Sequence, residues 1–320
     1  MELLKFSNLQ VASRRSLERT PQAGKAILLH TGVVALVSLV VSGLSLLLEE
    51  QIAGTGGLGG VQTRSLLSTI QSLLYLGQMI FLPFWQIGYL FFTLQAVRRQ
   101  PCENRDLWEG FRRFWPVFRL KLLTSLIFLG LAIACSYISS ILFMFTPWAG
   151  EMMEAMEPLM NSNMDDAALM EAMSAISYQS IIPMMALFLI CFAAIAIPLF
   201  YRFRMAEYWL MYYPKAGAFA SLRGSGILMR GNRMGMFKVD LHFWWFYGLE
   251  LLIAAVCYGD LLLEALGVPL PMSSSMAYFA ALVTSLALQV GLYWWRGNYV
   301  RVTYAHAFTS LIGARERVTV

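Results

Sequence analysis

The sequence predicts an all-α polytopic membrane protein with six transmembrane helices, and three observations predict it. Of its 320 residues, 58% are hydrophobic and 13% are charged, against about 45–50% and about 25% in a soluble domain. The apolar residues gather in blocks of about 20, with Lys and Arg confined to the block edges, which is the length a helix needs to cross a hydrocarbon core. The segments between the blocks alternate between basic and acidic. A mean hydropathy of +0.60 excludes a disordered chain. It also speaks against a soluble globular enzyme, because 43 charged side chains are few to cover such a surface.

The spans are read as Ala26–Leu48, Leu66–Val97, Leu120–Phe145, Ile181–Tyr201, Leu241–Tyr258 and Met276–Trp295. Each must satisfy its backbone internally in lipid, which a single helix does. The second has 32 residues, or about 48 Å at 1.5 Å per residue, more than the roughly 30 Å core requires. It is therefore tilted, kinked at Pro83, or preceded by an interfacial turn. The first begins at residue 26 and runs into Glu49-Glu50 without a small-residue cleavage site, so it reads as a retained anchor. Together the spans form a single integral-membrane domain over 1–320, with a Met-rich outer loop at 146–180.

Charge sets the orientation. Of the 24 basic residues, 23 fall in the N-terminal segment, the loops after the second and fourth spans, and the C-terminal tail; Arg64 is the exception. The opposite loops carry Glu49, Glu50, Glu151, Glu154, Glu157, Asp165, Asp166, Glu171, Asp260 and Glu264. Positive charge resists translocation, so the basic side is expected to be cytoplasmic. Both termini then lie inside, which six spans allow. Trp148 at one edge, and Trp244, Trp245, Trp294 and Trp295 at the other, suit interfacial aromatic belts. A net charge of +5 is thus explained by orientation, and no nucleic-acid partner is expected.

Three basic segments each precede an odd-numbered span, suggesting three units of interfacial helix plus helical hairpin. In Asp106–Trp115, Asp106 is the expected N-cap and Glu109 its capping-box partner. Leu107, Trp108, Phe111, Phe114, Trp115 and Phe118 share one face and Pro116 ends the run. This helix either lies in the headgroup layer or packs on the spans. A second amphipathic stretch runs from Pro214 to Met229, stopped by Gly231-Asn232. The stretch Leu9–Leu17 is the weakest of the three.

Ser225-x-x-Leu228-Met229-Arg230-Gly231-Asn232-Arg233, followed by Phe237, Asp240, Phe243 and Trp245, resembles a bacterial family of polytopic membrane proteins of unknown function. Leu107-x-x-Gly110-Phe111 and the Tyr304 region resemble the same family. The resemblance covers most of the chain, although the Met-rich loop has no counterpart in it. It implies a six-helix inner-membrane protein and supplies neither substrate nor catalytic residues.

Glu250 is the most informative single residue. It lies about nine residues into the fifth span, near mid-membrane, and no Lys or Arg inside a span is expected to pair with it. Intramembrane acids often mark ion or proton paths. The other reading is a protonated carboxyl bonded to a Gln or Tyr of a facing helix, and Gln78, Gln86 and Gln289 are the candidate neighbours. Arg112, Arg113, Arg230 and Arg233 are candidate contacts for anionic headgroups, although orientation alone accounts for them.

Met152, Met156, Met160 and Met164 recur every four residues. Thioethers suit Cu(I), but no His or Cys reinforces a metal site and Met also suits an amphipathic cap. The run Gly54–Gly60 lacks the Lys-Ser/Thr ending of a P-loop and reads as a turn. Four cysteines without a CxxC pair, and three dispersed histidines, support no disulfide framework or metal centre. No cofactor and no enzyme activity are expected. The expectation is a transport, export or envelope-accessory component of the bacterial cytoplasmic membrane. The alternative is a scaffold that recruits lipid or an unidentified membrane protein through its basic helices.

Overall fold

The computed structural model describes residues 5–54, 60–150, 152–154, 178–259 and 274–318. Among these the regular structure is helical, with no strand. Five helices are long and apolar enough to cross a bilayer, and a bent pair makes a sixth if it counts as one span. Their apolar side chains point outward in number: Leu36, Leu66, Leu129, Ile133, Leu189 and Leu251 are all exposed. In water such surfaces would aggregate; in a bilayer they face lipid. The chain is an all-α polytopic membrane protein.

Helix α1 (Phe6–Arg19) buries Leu9, Ser13 and Ser16, residues that fall on one helical face. Thr20–Gln22 turn the chain into α2 (Ala23–Gly54), the first span. The second, α3 (Gly60–Val97), is one unbroken helix of 38 residues with Pro83 inside. Pro83 divides it by environment. Leu66, Leu73 and Met79 before it are exposed, whereas Phe84, Trp85, Ile87, Tyr89 and Phe92 after it are buried. The excess length is therefore helix that leaves the lipid-facing zone and enters a protein core. That core joins Ala23, Ala26 and Ile27 of α2 to Trp85, Tyr89 and Phe92 of α3 and to Leu107.

The segment after α3 is a 3₁₀ turn (Asn104–Trp108) followed by α4 (Glu109–Arg112). Its capping box lies three residues earlier than expected, with Glu103 as N-cap and Asp106 as its N3 partner; Asp106 Oδ2 accepts from the Glu103 N–H at 2.8 Å. Glu109 instead holds Arg113 at 2.9 Å and Arg112 at 3.5 Å. Pro116 does not end a helix; it sits in the first turn of α5 (Phe114–Phe143), where its missing N–H is not needed. Of the two placements the sequence left open, Leu107–Phe111 packs on α3. A methyl on Gly88 would lie 1.8 Å from the Leu107 carbonyl oxygen, and one on Gly110 would lie 2.0 Å from that of Phe84. Only two glycines allow the backbones so close. Trp108 and Trp115 stay exposed.

After α6 (Tyr178–Phe203) and α7 (Ala206–Tyr212) comes α8 (Ala218–Leu228), which buries Ala218, Ser221, Leu222, Gly224, Ser225 and Leu228. It is a packed helix. Gly224 lies against the Trp209 ring, where a methyl would approach to 2.3 Å. The motif around Ser225 has a local physical account. Ser225 Oγ accepts from the Met205 N–H at 3.1 Å, and Leu228 and Met229 are buried. Gly231 takes a left-handed φ of +81°, and Asn232 Nδ2 donates to the Leu228 carbonyl at 2.9 Å.

The fifth span departs from the expected single helix. It is α9 (Arg233–His242) and α10 (Trp244–Cys257), bent by 61°. With 14 residues, α10 reaches only about 21 Å, short of a full crossing. The last span also differs. α11 (Ser274–Leu292) passes through a π turn (Tyr293–Gly297) into α12 (Asn298–Val318). The expected C-terminal tail is thus helix, and much of α12 is buried, including Val302, Thr303, Ala305, Ala307 and Phe308. Its basic residues suggested a loop, but small apolar residues between them form a packing face. Met1–Val117 with Met205–Val320 form one compact unit and Phe118–Arg204 another. The second holds most of α5 and all of α6, where Phe188 and Phe192 stack at 5.8 Å.

Most of the Met-rich segment, including Met156, Met160 and Met164, and the central glycines of 54–60 lie outside the described residues.

Candidate functional site

The first unit contains a polar cluster built from α2, α3, α10, the π turn and α12. Glu250 on α10 accepts a short hydrogen bond from the Tyr293 hydroxyl at Oε1. Arg301 on α12 reaches that same hydroxyl, and its charge also acts on Tyr208, Tyr89 and His30. The order is cation, phenol, carboxylate. A donor that is itself bonded to a cation is polarised, and each bond of such a chain strengthens the next. The arrangement offsets the carboxylate and the guanidinium through one bridging hydroxyl.

Local helix geometry explains how Tyr293 and Arg301 meet. In an α-helix, eight residues advance about 800°, which leaves the two side chains about 80° apart. The π turn absorbs one residue, so the offset falls to about 20° and the side chains share a face. Gly297 makes room beneath the ring: a methyl there would come within 2.7 Å of Tyr293 Cδ1. Phe246 braces the ring edge-on at 5.6 Å.

A second branch starts at Asn298. Its Oδ1 accepts a short bond from the Tyr89 hydroxyl, and its Nδ2 donates to the Ala23 carbonyl at 2.8 Å. Tyr89 stacks on His30 at 4.5 Å, and Trp85 Nε1 donates to the His30 carbonyl at 3.0 Å. His30 is buried, and its Nδ1 has no hydrogen-bond partner among the described residues. A bare ring nitrogen in a buried setting is costly. One turn further along α12, Tyr304 donates to Asp240 at 2.5 Å and meets the Tyr247 hydroxyl at 2.6 Å. There α1 is tied to α12 through Ser13–Thr303 at 3.0 Å and Ser16–His306 at 2.9 Å.

Of the residues singled out in sequence, Glu250 lies in the cluster, but its partner is Tyr293. Gln86 is exposed, Gln289 is half-buried, and Gln78 bonds Ser38 at 3.1 Å. Arg301, assigned in sequence to the tail, reaches the Tyr293 hydroxyl from which Glu250 accepts. Arg113 is taken up by Glu109 and lies over the Phe91 ring at 5.6 Å. Arg112 shares Glu109, whereas Arg230 and Arg233 are exposed. The residues missed were Tyr293, Arg301, Asn298, Tyr89 and His30. One signal for Arg301 was present: a lone cation amid Tyr299, Val300, Val302 and Ala305.

These features define a multi-pass, all-helical membrane protein whose interior carries a bridged acid–base cluster. The chain belongs to the family described as protein of unknown function (DUF975), whose model matches residues 11–313. No curated protein and no solved structure matches it.

Proposed function

We propose that the chain is a non-enzymatic component of the bacterial cytoplasmic membrane, with both termini cytoplasmic, that moves a proton or small ion along this polar cluster. The Glu250–Tyr293–Arg301 chain carries this reading. Intramembrane ionisable residues are expensive to keep, and they concentrate on ion and proton paths. Here an acid and a cation on different helices are joined by a hydroxyl that can both donate and accept, and the unpartnered Nδ1 of His30 lies beside the second branch. The cationic asymmetry of the loops supports the orientation. With no nucleotide motif in the sequence, the movement is gradient-driven or energised by another chain.

The test is proton flux in proteoliposomes with an internal pH dye and an imposed gradient. The wild-type chain should dissipate the gradient faster than protein-free liposomes, and Glu250→Gln should lose roughly tenfold or more of that rate, the scale of one lost proton-transfer group. A wild-type rate equal to that of empty liposomes defeats the proposal.

A second reading is a scaffold that recruits lipid or a membrane protein through basic helices. Exposed Arg230 and Arg233, flanking the left-handed turn at Gly231, favour it. If flux is absent and a defined partner is lost on Arg230→Gln/Arg233→Gln, this reading replaces the first.

A further inference from the structure

We propose that a cavity of about 420 Å³ between α1, the Thr20–Gly24 turn and the π turn binds the phosphate-bearing headgroup of an anionic phospholipid. Arg14 and Glu18 come from α1, Thr20 from the turn, and Trp294, Trp295 and Arg296 from the π turn. Its volume suits a small-molecule site, about 300–1,000 Å³. The site lies apart from Arg112, Arg113, Arg230 and Arg233, and it does not depend on whether the polar cluster moves protons.

Charge is the first reason. Two guanidinium groups face one carboxylate, and no ion pair among the described residues involves Arg14 or Arg296. The Arg296 guanidinium is held 5.0 Å over the Trp295 ring, which fixes it in place and leaves its N–H edge for a ligand. Planar guanidinium groups match phosphate oxygens two at a time. Lys25 follows directly in sequence and adds to the local positive field.

Position is the second reason. Trp294 and Trp295 are 62% exposed at the end of the last apolar helix, and exposed tryptophans at a helix end sit at headgroup depth. Leu28 and Leu29, one turn along α2 from the cavity floor, are also exposed. They offer an apolar track for acyl chains leading into the bilayer. A free phosphate ester would have no use for that track. Basic pockets between transmembrane helices are a recognised mode of anionic-lipid binding.

The irregular backbone joins the two observations. The π turn that aligns Tyr293 with Arg301 also places Trp294, Trp295 and Arg296 around the cavity.

The test is lipid retention by native mass spectrometry of the full chain released from nanodiscs of phosphatidylcholine and phosphatidylglycerol. Phosphatidylglycerol should be retained over phosphatidylcholine. Arg14→Gln/Arg296→Gln should lower its occupancy by about 30-fold, since each surface charge contributes about fivefold. Lys215→Gln/Arg223→Gln removes the same charge elsewhere and should leave occupancy unchanged. Equal loss in both variants, no loss in the first, or displacement of the lipid by soluble glycerol 3-phosphate overturns the proposal. If the glutamine pair does not fold, phosphatidylglycerol with a photoreactive headgroup decides on the wild-type chain. Labelling within 14–24 or 294–299 supports the site, and labelling only elsewhere refutes it.

Discussion

The close approach of the 104–112 segment to α3 gives a quantitative prediction. In Gly110→Ala, the new methyl would lie 2.0 Å from the Phe84 carbonyl oxygen, and in Gly88→Ala it would lie 1.8 Å from that of Leu107. Backbone atoms cannot rotate away, so the 104–112 segment and α3 must separate by about 1.4 Å to reach ordinary contact. A gap of 0.5–1 Å already forfeits a quarter to a half of the dispersion well. Fully buried Leu107 then loses most of its contact, worth about 1.5–3 kcal/mol. The ring pairs Trp85–Trp108 at 5.2 Å and Phe84–Phe111 at 5.7 Å loosen, at about 0.5–1.5 kcal/mol each. Either variant should therefore lose about 3–5 kcal/mol, or about 10 °C of melting temperature in detergent. Undocking should also open the Arg112–Arg113 bond to trypsin. Gly77→Ala and Gly130→Ala are the controls. Nothing lies within 4 Å of either added methyl, and alanine is the better helix former by up to about 1 kcal/mol, so both should be neutral or slightly stabilising. If Gly110→Ala melts with the wild type and Arg112–Arg113 stays protected, the packing argument is wrong.

Two further outcomes follow from the site and its surroundings. Gly297→Ala should displace the Tyr293 ring and mimic Tyr293→Phe, each losing about 1–2 kcal/mol of stability. The double variant should be no worse than the worse single, and additive losses in detergent melts would separate Gly297 from the cluster. Cys102 is half-buried beside α4; burial, and then the Asp106 carboxylate, push its thiol from 9.0 up to about 11. A raised pKa keeps the thiol neutral across the physiological range, so at pH 8 a chain with Cys135→Ser, Cys191→Ser and Cys257→Ser should alkylate roughly 100-fold more slowly than a free thiol. The rate should climb about tenfold per pH unit through pH 10, and a plateau near pH 9 would contradict the burial.

Much of the architecture was readable in the chain. The blocks at 26–48, 66–97 and 120–145 appear in α2, α3 and α5, because bilayer crossing needs only length and apolarity. The break at Phe243 was not readable. Leu241–Tyr258 is apolar throughout, and hydropathy does not register a bend. The helical character of 298–318 was hidden by its arginines, since charge near a span end reads as loop whether the residue meets solvent or a tyrosine hydroxyl. The site was half legible. An acid at mid-span singled out Glu250, but its partner lies 43 residues away across a helix interface.

One tripeptide separates what local sequence determines from what the fold decides. Arg230-Gly231-Asn232 and Arg296-Gly297-Asn298 are identical. The first ends α8 in a left-handed turn, with Asn232 bonded back to Leu228. The second continues a helix through a π turn, with Gly297 under Tyr293 and Asn298 bonded to Ala23 and Tyr89. Composition and periodicity determined that this chain is helical, crosses a membrane and carries its cations on alternate loops, because those properties sum over neighbours in sequence. Which hydroxyl meets Glu250, which glycine is left-handed and which arginine reaches Tyr293 were decided by the faces that distant helices present to one another.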